Sequence, residues 1–349
     1  MRRHPNPLVL GSASRRSSVR RGCVTVLLIF WLGRSALVSA AAAQDLEVVA
    51  YLPNWIDMQE CVDRTDLTAL SHLIVAFKNP PDATGRLPAD PADAKVQAAA
   101  HRHGVKVLMS IGGGWHSRNA EMRSRYFELI KPDRVKAFAQ SLADDLVEQG
   151  FDGLDVNLEG PAINEDYDGF ISALAHELGS RRKLLSAALP TGGPSDRIGD
   201  ETLKRFDFIN AMAYDLRGPW EPEKPGPHAP MFFAVKTLDY WARRGVPAPR
   251  VMLGIPFYGY GFGEDFREGE YPYHEILRRF PLALRQDRVG STLFLHGPAS
   301  VAAKTRLALD RQLRGVMIWS IDSDAAGADS LLRVIQRERV KHLGPTTIP

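Results

Sequence analysis

Cysteine is scarce in this chain of 349 residues, which contains only Cys23 and Cys61. Cys23 lies in an N-terminal segment that we expect to be removed, and one remaining thiol cannot form an intrachain disulfide. The sequence has no C-x-x-C or H-E-x-x-H pattern, and no histidine has a plausible spacing from Cys61. We therefore predict no metal site, no cofactor and no cysteine nucleophile, and we interpret Cys61 as a packed or inert thiol.

Long apolar runs are also lacking, because residues 23–32 fall short of the ~20 residues that a membrane-spanning helix needs. Residues 1–43 carry seven arginines and no acidic residue, and small residues fill positions 39–43. This order of basic, apolar and small residues is typical of a secretory signal. We predict that residues 1–43 are a signal peptide and that residues 44–349 form a secreted or periplasmic protein without a membrane anchor. An uncleaved anchor is the alternative.

Excess positive charge is absent from the predicted mature chain. The full chain has a formal net charge of +3, and loss of the seven N-terminal arginines changes it to −4. No stripe of lysine or arginine suited to nucleic acid remains. The composition, 44% hydrophobic and 24% charged, is that of an ordinary globular protein. We therefore exclude nucleic acid as a partner and expect a monomer.

Short apolar segments alternate with helical patterns along the predicted mature chain. The segments have the lengths of strands, and turn residues such as Pro53 and Pro190 end several of them. We predict eight strands, at residues 46–52, 72–77, 105–111, 154–159, 184–189, 208–212, 251–256 and 315–319.

Helical patterns occupy the intervals between these strands. The clearest spans residues 133–149, where Val135, Phe138 and Leu142 recur at helical spacing, with Asp133 as a candidate N-cap. Further helices are predicted at residues 66–70, 91–103, 166–178, 200–206, 232–244, 301–313 and 331–339.

Eight alternations of strand and helix favour an α/β fold, a (β/α)8 TIM barrel formed by a single domain. A doubly wound open sheet is the alternative, but residues 52–55 lack the G-x-G-x-x-G turn that it would need after the first strand. The longest connection, residues 259–312, is too short for a large inserted domain. We therefore expect a shallow cleft.

One segment has an unusual polar pattern. Residues 154–159 read L-D-V-N-L-E, so Asp155, Asn157 and Glu159 share one face of the predicted strand. Buried polar groups without partners cost about 1–3 kcal/mol each. The pattern therefore predicts a polar row in an enclosed interior, close to the carboxyl ends of the strands, where barrels of this kind carry their catalytic groups.

The sequence FDGLDVNLEG at 151–160 resembles the D-x-x-D-x-D-x-E signature of glycoside hydrolase family 18, the chitinases and their relatives. Asp152, Asp155 and Glu159 match it, whereas Asn157 stands where the family usually has Asp. The resemblance covers essentially the whole predicted mature chain. It includes SIGG at 110–113, MAYD at 212–215 and the tryptophan that ends the eighth predicted strand, Trp319.

This resemblance implies retaining, substrate-assisted hydrolysis of β-1,4 bonds in N-acetylglucosamine-containing glycans. Glu159 would protonate the glycosidic oxygen, and the 2-acetamido oxygen of the substrate would attack the anomeric carbon to form an oxazolinium ion. The implied catalytic residues are Glu159, Asp155, Asn157 and Tyr214, with Asp155 more a buried structural carboxylate than a direct participant. The implied substrate-binding residues are Asp215, Met212, Trp319, Gly113, Trp115, Phe77 and Tyr51, and the loop positions of Trp55 and Trp220 suit stacking on sugars.

Other interpretations of these residues stay open. Taken singly, Tyr214 and Trp319 are as consistent with core aromatics as with a site. Asn157 can accept a hydrogen bond but cannot carry negative charge, so we expect a weakened hydrolase. The alternatives are a chitinase-like lectin without catalysis, and an unrelated sugar-binding barrel. The glycan could be chitin, chito-oligosaccharides, peptidoglycan or an N-glycan core.

Overall fold

Eight parallel strands close into a barrel in the computed structural model, which describes residues 45–264, 266 and 269–343. The predicted signal peptide lies outside the described residues and stays a prediction. In chain order the first seven barrel strands are β1 (Glu47–Pro53), β2 (His72–Ala76), β3 (Lys106–Gly112), β4 (Gly153–Asn157), β5 (Leu184–Pro190), β6 (Phe208–Met212) and β7 (Val251–Pro256). Four short strands outside the barrel follow, β8 (Tyr258–Gly261), β9 (Glu270–Pro272), β10 (Arg288–Val289) and β11 (Leu293–Leu295). The last barrel strand is β12 (Gly315–Trp319).

The barrel order is β1-β12-β7-β6-β5-β4-β3-β2, so β1 closes the barrel between β2 and β12. The predicted (β/α)8 barrel is therefore confirmed. Strand β4 differs from the prediction, because it ends at Asn157 and Glu159 lies in the loop that follows. The cause is a hydrogen bond of the Glu159 backbone N–H to Ser117 Oγ at 2.9 Å, which replaces pairing with a neighbouring strand.

Helices pack around the barrel. Helix α5 begins at Val135 after Arg134, so the predicted N-cap Asp133 is wrong; its buried residues include Phe138 and Leu142, as the spacing predicted. Four helices were not predicted, namely α1, α3, α4 and α9. The helices are α1 (Met58–Arg64), α2 (Pro91–His101), α3 (Gly114–Arg118), α4 (Ala120–Leu129), α5 (Val135–Glu148), α6 (Tyr167–Ser180), α7 (Asp200–Leu203), α8 (Met231–Arg243), α9 (Tyr273–Arg279), α10 (Pro298–Asp310) and α11 (Leu331–Leu343). None in the described part of the chain is long and apolar enough to cross a membrane.

The connection between β7 and β12 holds a small antiparallel sheet that the sequence analysis did not predict. Its strand order is β10-β11-β8-β9, and helix α9 follows β9. The insertion is small, so the single-domain prediction holds. Strand β8 continues almost directly from barrel strand β7, and this places Tyr258 and Tyr260 at the carboxyl end of the barrel.

Gly112 at the end of β3 makes a close backbone contact with β4. Its φ is +96°, and a Cβ added there would lie 2.3 Å from the carbonyl oxygen of Asn157. We expect Gly112→Ala to lower the free energy of unfolding by about 2–5 kcal/mol, because strain and overpacking both act. Gly104→Ala is the matched control, since Gly104 has φ +73° but a Cβ there would meet no atom within 4 Å. Urea unfolding measures both; equal losses would contradict the steric argument.

Candidate active site

Asp155 is the acceptor at the centre of a buried polar cluster inside the barrel. Its Oδ2 accepts hydrogen bonds from the hydroxyls of Tyr51 and Ser110, both at 2.8 Å. Its Oδ1 accepts from the Ser186 hydroxyl at 2.7 Å and from Asn210 Nδ2 at 3.2 Å. Burial raises the pKa of Asp155, and these four hydrogen bonds oppose the rise. Donors from β1, β3, β5 and β6 therefore hold one carboxyl group in a fixed orientation.

The structure places Tyr51, which we expected to bind substrate, among the donors to Asp155. Tyr51 is fully buried, and its hydroxyl serves Asp155. We expect Tyr51→Phe to lower the free energy of unfolding by about 1.5–3 kcal/mol, the range for a hydrogen bond to a charged group. Tyr167→Phe is the control, because the Tyr167 hydroxyl is buried without a hydrogen-bond partner in the described residues. Urea unfolding of both variants should show a loss for Tyr51→Phe alone; comparable losses would contradict the assignment.

Asn157 ends β4 and lies between Asp155 and Glu159 on the same side of the chain. Its side chain is 3% exposed, and among the described residues its Oδ1 has no hydrogen-bond partner. Its backbone carbonyl accepts a hydrogen bond from Gly113 N at 2.7 Å, which fixes the end of the strand. Leaving a buried acceptor unpaired costs about 1–3 kcal/mol, so this oxygen is suited to accept from a bound group.

Glu159 is a partly buried carboxylic acid beside a short helix. Ser117 Oγ, in α3, accepts a hydrogen bond from the Glu159 backbone N–H. Gly114 lies against the Glu159 carboxyl group, because a Cβ added there would be 3.3 Å from Oε2. Burial raises the pKa of Glu159 to about 7; the Arg118 guanidinium opposes this rise and the Asp215 carboxylate adds to it. A carboxyl group with this pKa carries its proton in a substantial fraction of molecules near neutral pH, as a general acid requires.

The segment after β6 brings three predicted site residues together. Met212 ends the strand, and Tyr214 is 6% exposed, with its hydroxyl 3.9 Å from Met317 Sδ, a weak acceptor. Asp215 has φ +59°, and its Oδ1 accepts a hydrogen bond from the Tyr258 hydroxyl. The Tyr214 hydroxyl is therefore free to donate to a stronger acceptor.

Aromatic rings form a row beside these polar groups. Trp319 stacks on Phe77 with ring centroids 5.7 Å apart, and Phe77 stacks on Trp55 at 6.3 Å. Gly113 lies under this row, because a Cβ there would be 2.6 Å from the Phe77 ring. Trp115 is 64% exposed. Flat apolar faces next to hydrogen-bonding groups are the usual composition of a small-molecule site.

These residues surround one cavity of about 450 Å³, which we call the cleft. Nine predicted site residues line it, whereas Asp155 and Tyr51 lie beneath it. The small sheet adds Tyr260 and Glu270 to one side of the cleft, and the expectation that the cleft is shallow stays a prediction. The lining residues are Trp55, Phe77, Gly113, Gly114, Trp115, His116, Arg118, Asn157, Glu159, Met212, Tyr214, Asp215, Tyr260, Glu270 and Trp319.

A model of the Glycosyl hydrolases family 18 matches residues 47–324. The chain belongs to glycoside hydrolase family 18. Its barrel is similar to the crystal structure of the GH18 chitinase ChiB of Flavobacterium johnsoniae, with 33% identity and a TM-score of 0.79 over 85% of this chain and 95% of that one.

Curated relatives of this family 18 chain carry different kinds of name. A chitinase-like effector of Moniliophthora roreri is 30% identical over 268 residues, which is 68% of this chain and 63% of the effector. An oviduct-specific glycoprotein of Ovis aries is 27% identical over 273 residues, which is 67% of this chain and 49% of the glycoprotein. The match thus spans less than two thirds of either relative, and membership of the family does not separate catalysis from binding.

The sequence pattern did not predict several of the residues that line the family 18 cleft. Arg118 and His116 lie on α3, and Tyr260 and Glu270 lie in the small sheet, so no pattern within one segment marks them. Trp220, a predicted stacking residue, lies outside the lining and packs edge-on against Tyr260 at 5.5 Å. Asp152, the first acid of the signature, does not line the cleft. Its Oδ2 accepts a hydrogen bond from Val107 N and lies 2.8 Å from His101 Nε2.

Among the described residues no group of three or more His, Cys, Asp and Glu side chains is arranged to hold a metal ion. The groups that this family 18 cleft offers to a ligand are carboxyl, amide, hydroxyl and aromatic side chains.

Proposed function

We propose that the protein is a retaining glycoside hydrolase that cleaves β-1,4 bonds in N-acetylglucosamine-containing glycans, such as chitin or chito-oligosaccharides, with help from the substrate itself. The observation that carries this proposal is the Glu159 carboxyl in the cleft, whose pKa is about 7, beside a buried amide acceptor, Asn157 Oδ1, that has no partner within the described residues. Such a pair suits an acid that protonates a leaving group next to an N-acetyl group.

Glu159 is the general acid and then the general base. Its proton passes to the glycosidic oxygen as the bond to the anomeric carbon breaks, and the 2-acetamido oxygen of the same sugar forms a bond to that carbon. A water molecule then attacks the resulting oxazolinium ion, and the Glu159 carboxylate takes the water's proton. Two inversions at one carbon give net retention.

No second enzyme carboxylate is needed as nucleophile in this scheme. Asp155 cannot fill that role, because it is fully buried and already accepts four hydrogen bonds. Its function in the proposal is to support Asn157 and the end of β4. Asn157 Oδ1 accepts the acetamido N–H, and the Tyr214 hydroxyl donates to the acetamido oxygen. Both contacts hold the acetamido group in the orientation that attack requires.

The remaining cleft residues bind the sugar. Trp319 and Phe77 present flat apolar faces, and Trp319 forms the floor beneath the reacting ring. Met212 packs beside Tyr214, Asp215 offers a carboxylate to a sugar hydroxyl or acetamido N–H, and Trp115 is exposed enough, at 64%, to stack on a neighbouring sugar. We also propose that the protein acts outside the cytoplasm, on the basis of its predicted signal peptide.

The test of the proposal is release of product from tri-N-acetylchitotriose and its chromogenic glycosides by purified protein. We expect the β-anomer to form first, as followed by proton NMR, because the reaction retains configuration. The fully de-N-acetylated trimer and cellotriose lack the acetamido nucleophile, and we expect neither to be cleaved. Cleavage of cellotriose at a similar rate, or initial release of the α-anomer, would exclude the substrate-assisted mechanism.

A sugar-binding protein without turnover is the second candidate, and Asn157 is the observation that favours it. Asn157 gives the cleft no charge at the position where an anionic group would stabilise the oxazolinium ion. Under this candidate, calorimetry shows binding of N-acetylated oligosaccharides while no product forms. Endo-acting cleavage of an N-glycan core or of peptidoglycan is a third possibility, and parallel assays on those two glycans distinguish it.

A further inference from the structure

A buried histidine lies directly behind the cleft. His228 is 1% exposed, and its Nδ1 lies 3.5 Å from Asp215 Oδ1. Its backbone carbonyl accepts a hydrogen bond from Leu216 N at 2.8 Å, which ties the segment that carries His228 to the residue after Asp215. The imidazole and the carboxylate are therefore held close together by the backbone as well as by their side chains.

Aromatic rings hold the His228 imidazole in place. Its ring centroid lies 4.7 Å from that of Tyr258, 4.9 Å from that of Tyr260 and 5.7 Å from that of His296. Neither ring nitrogen of His228 makes a hydrogen bond of standard geometry with another described residue. A buried imidazole in this state is costly, so the carboxylate at 3.5 Å is the acceptor that accounts for its placement.

Asp215 is the group that needs support. Its side chain lines the cleft and is exposed, and its backbone has φ +59°, in the left-handed region that residues other than glycine seldom adopt. The Tyr258 hydroxyl donates to Oδ1, and the Tyr260 side chain also hydrogen-bonds this carboxylate. Both tyrosines belong to β8, so a donor on the segment that carries His228 would hold the carboxylate from a second element of the fold.

We propose that His228 is a positioning residue that donates Nδ1–H to Asp215 and holds its carboxylate facing the cleft. Contacts of this kind are often long in a free protein and shorten when ligand fills the site. His228 acts through Asp215 and touches no ligand. The proposal rests on the proposed function only for the choice of ligand, an N-acetylated oligosaccharide.

The experiment compares His228→Asn with His228→Leu. Asparagine places an amide N–H close to the position of Nδ1, whereas leucine fills similar volume without a donor. We expect His228→Leu to weaken binding of tetra-N-acetylchitotetraose about tenfold by calorimetry and His228→Asn to stay within about threefold of the parent. The control is His296→Leu, one ring further from Asp215 and outside the cleft lining, whose affinity we expect to match the parent.

The outcomes separate positioning from packing. If His228 only fills space, leucine preserves affinity better than asparagine, and that result would overturn the proposal, as would equal losses for both. Crystal structures of the two variants give a readout that needs no ligand: the Asp215 carboxylate should keep its orientation in His228→Asn and rotate in His228→Leu. An unmoved Asp215 in both would refute the proposal. If the parent fails to bind the tetrasaccharide, the proposed function fails, and the crystal structures alone decide the role of His228.

Discussion

Glu159→Gln is expected to lower kcat on tri-N-acetylchitotriose by about 10³-fold while leaving the affinity for the oligosaccharide nearly unchanged, since a positioned acid contributes about 10²–10⁴-fold. Glutamine keeps the shape and the hydrogen-bonding capacity of the side chain but cannot transfer a proton. Steady-state kinetics measures kcat, and calorimetry with the inactive variant measures Kd. Glu165→Gln is the matched control, because Glu165 follows the same strand, is exposed and lies outside the cleft lining.

The pH dependence gives the same prediction a second readout. The pKa of Glu159 is raised from 4.5 to about 7, and the glycosidic step needs the protonated acid. We therefore expect kcat/KM to fall as the pH rises through about 7. The raised pKa also means that the charged form is penalised in the folded protein, so stability is lost as the pH rises through that value. Glu159→Gln should thus raise Tm more at pH 8 than at pH 5; equal turnover in the variant and the parent would remove Glu159 from the mechanism.

Asn157→Asp is expected to raise kcat by about 10²-fold, which corresponds to about 2.7 kcal/mol of transition-state stabilisation. The new carboxylate would lie in the cleft at a position that is 3% exposed, between Asp155 and Glu159. Its charge would stabilise the positive oxazolinium ion. It would also disfavour ionisation of Glu159, because like charges raise each other's pKa, and thereby extend activity to higher pH.

Controls for this substitution separate charge from shape. Asn164→Asp makes the same chemical change in the loop after β4, outside the cleft lining, and should leave kcat unchanged. Asn157→Leu removes the acceptor and should lower kcat below that of the parent. The rate of single turnover, followed by quenched flow, isolates the chemical step. An unchanged or lower rate in Asn157→Asp would contradict the idea that Asn157 weakens the enzyme, whereas activity in this variant alone would indicate a binding protein whose site has lost catalysis.

The local sequence pattern predicted most of the barrel strands and helices. The strands at 208–212, 251–256 and 315–319 have the bounds that their apolar runs predicted. Such runs are recognisable because a barrel strand is covered on both faces. The prediction failed at α3, which has five residues and follows a glycine turn, at α4, which follows α3 after the single residue Asn119, and at β8–β11, which pair with one another across loops. Strands of two to four residues are too short to show an alternating pattern of apolar and polar residues.

The polar row was predictable for a related reason. Asp155, Asn157 and Glu159 alternate with aliphatic residues, and strand periodicity alone places the three on one side of the chain. What that row contacts was not predictable. The partners of Asp155 lie 104, 45, 31 and 55 residues away, at Tyr51, Ser110, Ser186 and Asn210. The sequence order of these residues shows nothing of their spatial grouping.

The sequence by itself determined the barrel, the position of Glu159 and the absence of charge at Asn157, because these depend on residue identity and on a period of two along one segment. Only the tertiary structure decided that Tyr51 hydrogen-bonds Asp155, that Tyr260 and Glu270 line the cleft, and that His228 lies next to Asp215. Closing the barrel brings β1 against β12, and the small sheet folds back over the carboxyl ends of the strands. The physical reason is that burial and hydrogen bonding act on distance in space, which a linear pattern does not record.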